Sequence, residues 1–318
     1  MLSEPDFAAL VEPYRRELLA HCYRMLGSYH DAEDALQDTM LRAWRGMGQF
    51  EGRSSVRTWL YRIATRVCLT AAGSRERRVL PSGISDPLGD GAAPLASRRP
   101  EVPWLEPIPD QAFAPDPADV VTSRETTRLA FVAALQNLPA RQRAALLLRD
   151  AVGLSAAEVA ALLDLSVTAV NSALQRARAR IEDQPPAEGT LVNSIDETVL
   201  ERYITAYENA DLPALAALLR HDVEFEMPPV PTWFAGRAAV LEFFAARPLR
   251  SPGRRAVATR ANGCPALASY ALQPDGTYAA HSIQVLESVS GQITHIYAFL
   301  DITLFPVFGL PLSLGTAE

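Results

Sequence analysis

At 318 residues the chain is long enough for about two domains with cores of their own, and 48% hydrophobic with 21% charged residues argues for globular rather than disordered protein. No apolar run approaches the ~18 residues needed to cross a bilayer, and MLSEPDFAAL has no basic segment ahead of an apolar stretch, so the expectation is cytoplasmic protein without membrane contact. Cys22, Cys68 and Cys264 are too widely spaced for metal ligation and are expected as reduced core residues, with no metal and no cofactor implied.

The net charge of -7 hides a strongly uneven distribution. Residues 42 to 78 carry nine arginines against two glutamates, whereas 79 to 123 carry seven acidic residues against Arg98 and Arg99. A basic segment inside an acidic protein points to a nucleic-acid contact there rather than over the whole surface. All basic residues are arginine; lysine is absent.

Residues 6 to 78 read as helical. Phe7, Leu10, Val11, Tyr14, Leu18 and Cys22 keep a helix period that Gly27 ends. A second helix, about 30 to 46, places Leu36, Met40, Ala43 and Met47 on one side. On another side it places Asp34, Gln37, Asp38 and Leu41, an acidic and amide face centred on a leucine. A third helix, about 54 to 72, is expected to bury Val56, Leu60, Ile63 and Val67 with Trp59 at the stripe's edge. It is expected to expose Thr58, Tyr61, Arg62 and Thr65, flanked by Arg57 and Arg66.

Nine prolines between 79 and 120 predict an extended, poorly structured linker, with Trp104-Leu105-Glu106-Pro107 as an apolar knot inside it. Helix is expected to resume near Thr122. Ser155 with Glu158 forms a capping box, Asp164-Leu165 a short turn, and Ser166 caps the helix that follows. There Val170, Leu174, Ala177 and Ile181 make one buried stripe. The opposite face carries Thr168, Ser172, Gln175 and Arg176, flanked by Asn171 and Arg178. Such side chains suit base edges and phosphates, as the second helix of a helix-turn-helix in a major groove requires.

After Gln184-Pro185-Pro186 the pattern turns to mixed α and β. Helices are expected at about 195 to 209, 212 to 220 and 236 to 246, and strands at 222 to 227, 255 to 262, 266 to 272, 278 to 288 and 292 to 301. That order predicts an α+β domain with an antiparallel sheet. Placing Val289 opposite Gln292 across the Ser290-Gly291 turn puts Ser282, Gln284, His295, Tyr297 and Asp301 on one face as a candidate pocket, with His281 on the other.

DAEDALQDTMLRAW at 31 to 44, RSSVRTWLYRIATRVCL at 53 to 69 and GLSAAEVAALLDLSVTAVNSALQRARARI at 153 to 181 follow one another in the order of bacterial sigma factors. The chain resembles the extracytoplasmic-function group, which keeps only sigma regions 2 and 4. WLEPIPD and the long extension resemble the subfamily with a fused SnoaL-like domain of the NTF2-like fold. The resemblance implies a multidomain fold class: two all-α sigma domains, a helical bundle and a helix-turn-helix, then an α+β NTF2-like cone. Its domains would be region 2 at 1–78, the acidic linker at 79–121, region 4 at 122–184 and a regulatory domain at 185–318.

The roles it implies are those of a non-enzymatic promoter-specificity subunit. Asp34, Gln37, Asp38 and Leu41 would dock on the β′ clamp of core RNA polymerase, whose β subunit is the other polymerase partner. Arg53, Arg57, Trp59, Tyr61, Arg62 and Arg66 would hold the opened minus-10 element of promoter DNA. Thr168, Asn171, Ser172, Gln175, Arg176 and Arg178 would read the minus-35 duplex. Many relatives have Asn at the place of Arg66, Gly at that of Asp164, and Lys-Ser-Arg where this chain has Asn171-Ser172-Ala173. Fewer charges on the reading helix predict weak promoter binding by the chain alone. The alternative is an NTF2-like sensor with a small-molecule ligand, or an enzyme domain, tethered to a DNA-binding module.

Overall fold

Residues 4–52, 54–73, 76–113, 128–182, 197–250 and 253–315 are described by the computed structural model of the chain. They fall into two compact units, Met1–Arg78 with Asp110–Pro186, and Val79–Pro109 with Ala187–Glu318. The first is all helical and the second mixed α+β, as the sequence predicts. The helix start expected near Thr122 lies outside the described residues.

In the first unit the helices are α1 (Glu4–Val11), α2 (Arg15–Leu26), α3 (Tyr29–Gly46), α4 (Val56–Gly73), α5 (Leu129–Gln136), α6 (Ala140–Leu146), α7 (Ala156–Leu163) and α8 (Val167–Glu182). The first predicted helix is interrupted at Glu12–Tyr14, where Pro13 removes a backbone donor and a tight 3-10 turn separates α1 from α2. Gly27 ends α2 with a left-handed φ of 72°, and Ser28 caps α3 by accepting the amide of Asp31 at 3.1 Å.

Two expected exposed residues of α4 are buried instead: Tyr61 is 3% exposed and Thr65 not at all. The stripe reading fails here because α4 packs against α2, α3 and α6, so its buried arc is wider than one apolar row. Thr65 has a partner for its hydroxyl in His21 Nε2, 3.0 Å away. Burial, with Arg24 nearby, lowers the His21 pKa to about 3, so this imidazole stays neutral in the folded chain.

A lowered base pKa has a definite linkage sign: below pH 6.5 the unfolded chain takes up a proton that the native one refuses. Stability therefore falls with pH through the window from 6.5 to about 3. The expected slope from this group is about 1.4 kcal/mol per pH unit once below 6.5. Urea unfolding of the chain and of His21→Asn between pH 7 and 4.5 checks it; equal slopes in both would rule His21 out as the source.

In the second unit the helices are α9 (Glu197–Glu208), α10 (Leu212–Leu218), α11 (Arg237–Ala246) and α12 (Leu304–Val307). Its strands are β1 (Leu219–Glu226), β2 (Trp233–Ala235), β3 (Arg254–Ala261), β4 (Cys264–Leu272), β5 (Tyr278–Val289), β6 (Gln292–Phe299) and β7 (Ser313–Leu314). They form one sheet in the order β2-β1-β6-β5-β4-β3, with β7 added beside β5. The sheet is not wholly antiparallel as expected: β1 and β6 run parallel. Only a short hairpin forces antiparallel pairing, and the connection from β1 to β6 passes through α11 and four strands. One sheet face meets the helices around Phe225, Phe243, Phe244, Tyr203, Leu286 and Ile296.

Two bulges decide which side chains share a face. Val289 does pair with Gln292, but the next pair is Ser288 with Ile293 and then Glu287 with His295, leaving Thr294 as an extra residue on β6. Another irregularity, between Ser269 and Tyr270, leaves His281 unmatched on β5. Each one-residue slip exchanges the two faces beyond it.

Residues 79–109 are extended, as expected, but they are fastened to the sheet domain along most of their length. The Leu88 amide donates to Trp233 O, Arg99 N to Pro229 O, and Ser82 N to Glu226 Oε2 at 2.8 Å. At the far end the Ile108 amide donates to Asn262 Oδ1 and the Asn262 amide to Ile108 O, each at 3.0 Å. Leu105 and Ile108 are fully buried, and the Trp104 indole N–H donates to Arg99 O. The apolar knot read in the sequence is thus the buried anchor of this segment.

Gly91 packs directly on α11: a Cβ there would sit 2.3 Å from Ala239 O and 2.5 Å from Phe243 N, both backbone atoms of that helix. Gly91→Ala is expected to lift the segment off α11 at a cost of about 1–3 kcal/mol. Faster hydrogen exchange at the amides of Gly91 and Leu88 is the readout; unchanged protection would show that the contact is not needed for docking.

Candidate functional site

Three surfaces of the first unit hold the residues singled out by sequence. On α3, Asp34, Gln37 and Leu41 are exposed and Asp38 half-buried, with Asp38 paired to Arg42 one turn on at 2.8 Å. The sequence missed the neighbouring apolar groove, about 300 Å³, where α1 meets α3. Phe7, Val11, Met40, Leu41 and Trp44 line it, and Leu41 and Trp44 remain 46% and 39% exposed. The signal was present in Trp44, one turn beyond Met40 and three residues beyond Leu41.

On α4 the basic residues are less available than expected. Arg57 makes a bidentate pair with Glu17 of α2, at 2.8 and 2.9 Å, and also donates to Val152 O. The Tyr61 hydroxyl donates to the same glutamate at 3.2 Å, and burial beside that carboxylate pushes its pKa up. Arg66 pairs at 2.8 Å with Asp164, the left-handed turn residue of the helix-turn-helix. Trp59 is half-buried against Phe50, with ring centroids 5.0 Å apart, and Arg62 is exposed. Arg53 lies outside the described residues. Tyr61 is therefore unavailable to stack on a base in this conformation, and Glu17, the partner of both Arg57 and Tyr61, is a neighbour that the sequence did not reveal.

The helix-turn-helix follows the sequence signals closely. Ser155 and Glu158 exchange hydrogen bonds in a capping box, Asp164 adopts φ 55°, and the Ala169 amide donates to Ser166 Oγ at 3.1 Å. Val170, Leu174 and Ala177 are buried, while Ile181, expected in the same stripe, is only half-buried near the helix end; Thr168, Asn171, Gln175, Arg176 and Arg178 are exposed and Ser172 half-exposed. Arg178 is held by Asp150 at 2.7 Å. Ala173 is 7% exposed and belongs to the buried side, so it offers no surface to a phosphate.

In the second unit the expected five-residue pocket does not form. The slip at Thr294 turns Ser282 and Gln284 toward the helices, where the Tyr203 hydroxyl donates to Gln284 Oε1 at 3.0 Å. His295 and Tyr297 face the other way, stacked with centroids 3.9 Å apart. Asp301 is exposed in a turn, accepting from Thr303. His295 instead meets carboxylates from β1 and β5: its Nε2 is 2.9 Å from Glu226 Oε1, its Nδ1 3.4 Å from Glu224 Oε2, and Glu287 is its cross-strand partner. Burial pulls its pKa down, but these carboxylates outweigh that and leave it raised. The alternation Glu224-Phe225-Glu226 in a predicted strand was the available signal for this cluster.

Comparison with known proteins accounts for both units. The family model for sigma-70 region 2 matches residues 10–78, that for sigma-70 region 4 residues 128–181, and that for the SnoaL-like domain residues 200–296. ECF RNA polymerase sigma factor SigG of Mycobacterium tuberculosis is 48% identical over 316 residues, spanning 97% of this chain and 85% of that relative. SigW of Bacillus subtilis is 29% identical over 178 residues, 56% of this chain and 88% of its own. The crystal structure of the Mycobacterium tuberculosis sigma factor SigJ shares the fold, with a TM-score of 0.62, 23% identity, and coverage of 96% of this chain and 99% of that one.

Proposed function

The chain belongs to the extracytoplasmic-function RNA polymerase sigma factors, which are transcription initiation factors and not enzymes, and from that premise we propose how its surfaces divide the work. The α3 face of Asp34, Gln37, Asp38 and Leu41, with the groove beside it, docks on the β′ clamp of core polymerase. Arg57, Trp59, Arg62 and Arg66 hold the opened minus-10 strand. Thr168, Asn171, Ser172, Gln175, Arg176 and Arg178 of α8 face the minus-35 duplex, supported by their exposure on the second helix of a helix-turn-helix.

The SnoaL-like domain regulates these activities in cis. The observation that carries this reading is that residues 79–109, the first part of the stretch between the two sigma regions, are hydrogen-bonded to that domain from Ser82 to Ile108. A domain attached in cis acts at high effective concentration and can replace a separate inhibitor. The internal pairs of Arg57 with Glu17 and Arg66 with Asp164 support a resting form in which minus-10 arginines are occupied. Engaging a promoter then requires those pairs to exchange for phosphates.

Run-off transcription with core polymerase tests both parts, using the full chain and a truncation ending near Gln184. Both forms are expected to bind core, and the truncation to initiate with altered efficiency. Failure of both to direct initiation would overturn the surface assignment, and identical initiation under every condition would overturn cis-regulation.

A further inference from the structure

The cluster around His295 is unlike the rest of the second unit in its charge. Three carboxylates, Glu224, Glu226 and Glu287, surround one imidazole, and among the described residues no arginine ion-pairs with any of them. Glu226 is fully buried, His295 14% exposed and Glu224 41% exposed, so the cluster has a sealed floor and an open side. One oxygen of Glu287 is buried without a hydrogen-bond partner. Burying more negative than positive charge is costly unless a cation completes the site.

We propose that His295, Glu224 and Glu226, with Glu287 beside them, bind one divalent first-row transition-metal ion. Ligand atoms of the first three all lie within 4.8 Å of one another, the spacing that a single ion can bridge after small side-chain movements. A mixed imidazole and carboxylate donor set selects zinc, iron, cobalt, nickel or manganese over calcium and magnesium, which prefer oxygen alone. Tyr297, stacked on the His295 ring, fixes its plane. The donors come from β1 and β6, which is why spacing along the sequence gave no hint of a metal.

The site also reaches the segment joining the sigma regions, because Glu226 Oε2 accepts the Ser82 amide at 2.8 Å. An ion that draws on the Glu226 carboxylate changes the acceptor available to Ser82. Metal occupancy is thereby coupled to how 79–109 is held, whatever the promoter surfaces do.

The full chain, stripped by a chelator, is titrated with Co2+ followed by optical absorption and with Zn2+ by calorimetry, beside Glu224→Gln and His295→Gln. One equivalent is expected, with cobalt bands of a nitrogen and oxygen site lacking thiolate intensity, and excess Mg2+ should not displace it. Glu224→Gln should weaken binding about 10-fold or more, and His295→Gln should abolish it. Glu224 is partly exposed, so its variant decides the matter if His295→Gln fails to fold. Hydrogen exchange at Ser82 should change on metal addition in the wild-type chain. Absence of binding, equal binding by Glu224→Gln, or binding that leaves Ser82 exchange unaltered would overturn the proposal.

Discussion

Leu41→Asp is expected to weaken binding to core RNA polymerase by about 30- to 1000-fold, the range of 2–4 kcal/mol typical of a buried interface anchor. Leu41 is 46% exposed on a helix whose other apolar residues are mostly covered, and it borders the groove of Phe7, Val11, Met40 and Trp44. Placing a carboxylate there forces a charge to be desolvated wherever that groove is filled. Because the side chain already faces solvent, the free chain should lose little stability, within about 0.5 kcal/mol. Asp34→Asn, at the rim, should change core affinity far less. Titration of labelled chain with core enzyme measures both variants. Equal affinity for Leu41→Asp and wild type would move the docking surface elsewhere.

A second large effect is expected from Arg143→Met, this time on folding. Arg143 is 6% exposed on α6, and its guanidinium donates to Met25 O at the end of α2, to Gln136 Oε1 and O, and to Leu138 O. Burial lowers its pKa to about 10, which still leaves it charged at neutral pH. The carbonyl of Met25 lies in the last turn of α2, where the helix dipole favours a cation. Methionine fills similar volume but leaves these acceptors without their donor. The expected loss is about 3–5 kcal/mol, or a fall in Tm of roughly 10 °C for a unit of this size. A thermal scan of the full chain measures it; a shift under about 2 °C would show that other donors, or water, serve those carbonyls equally well.

Most helix positions, the capping box, the turn at Asp164 and the exposed polar face of α8 were legible, because each depends on residues within a turn or two of one another. What the sequence obscured depends on packing from several sides or on an inserted residue. Tyr61 and Thr65 look solvent-facing by period, yet both are buried against α2, where His21 meets the two of them. Ser282, Gln284, His295 and Tyr297 share a face in the register set at Val289 and Gln292 until Thr294 adds one residue to β6 and sends them to opposite faces. Nothing local in Gln292-Ile293-Thr294 announces that bulge. Glu17 and Glu224 drew no attention because their importance lies in partners 40 and 71 residues away. The proline-rich composition indicated extended chain, which 79–109 largely is, but composition cannot show what an extended chain is fastened to.

That fastening sets a leash. Region 2 ends at residue 78 and region 4 begins at 128, and the first 31 of the residues between them, Val79–Pro109, are secured at both ends on the sheet domain, near Ser82 and at Ile108. While it stays docked, its span is the fixed distance between two anchor points. Once released, the same residues would wander with an end-to-end distance of roughly 30 Å and could be drawn out to roughly 100 Å. Docking therefore takes the slack out of the first 31 of the residues that connect the two sigma regions, and shortens the reach that this connection gives them.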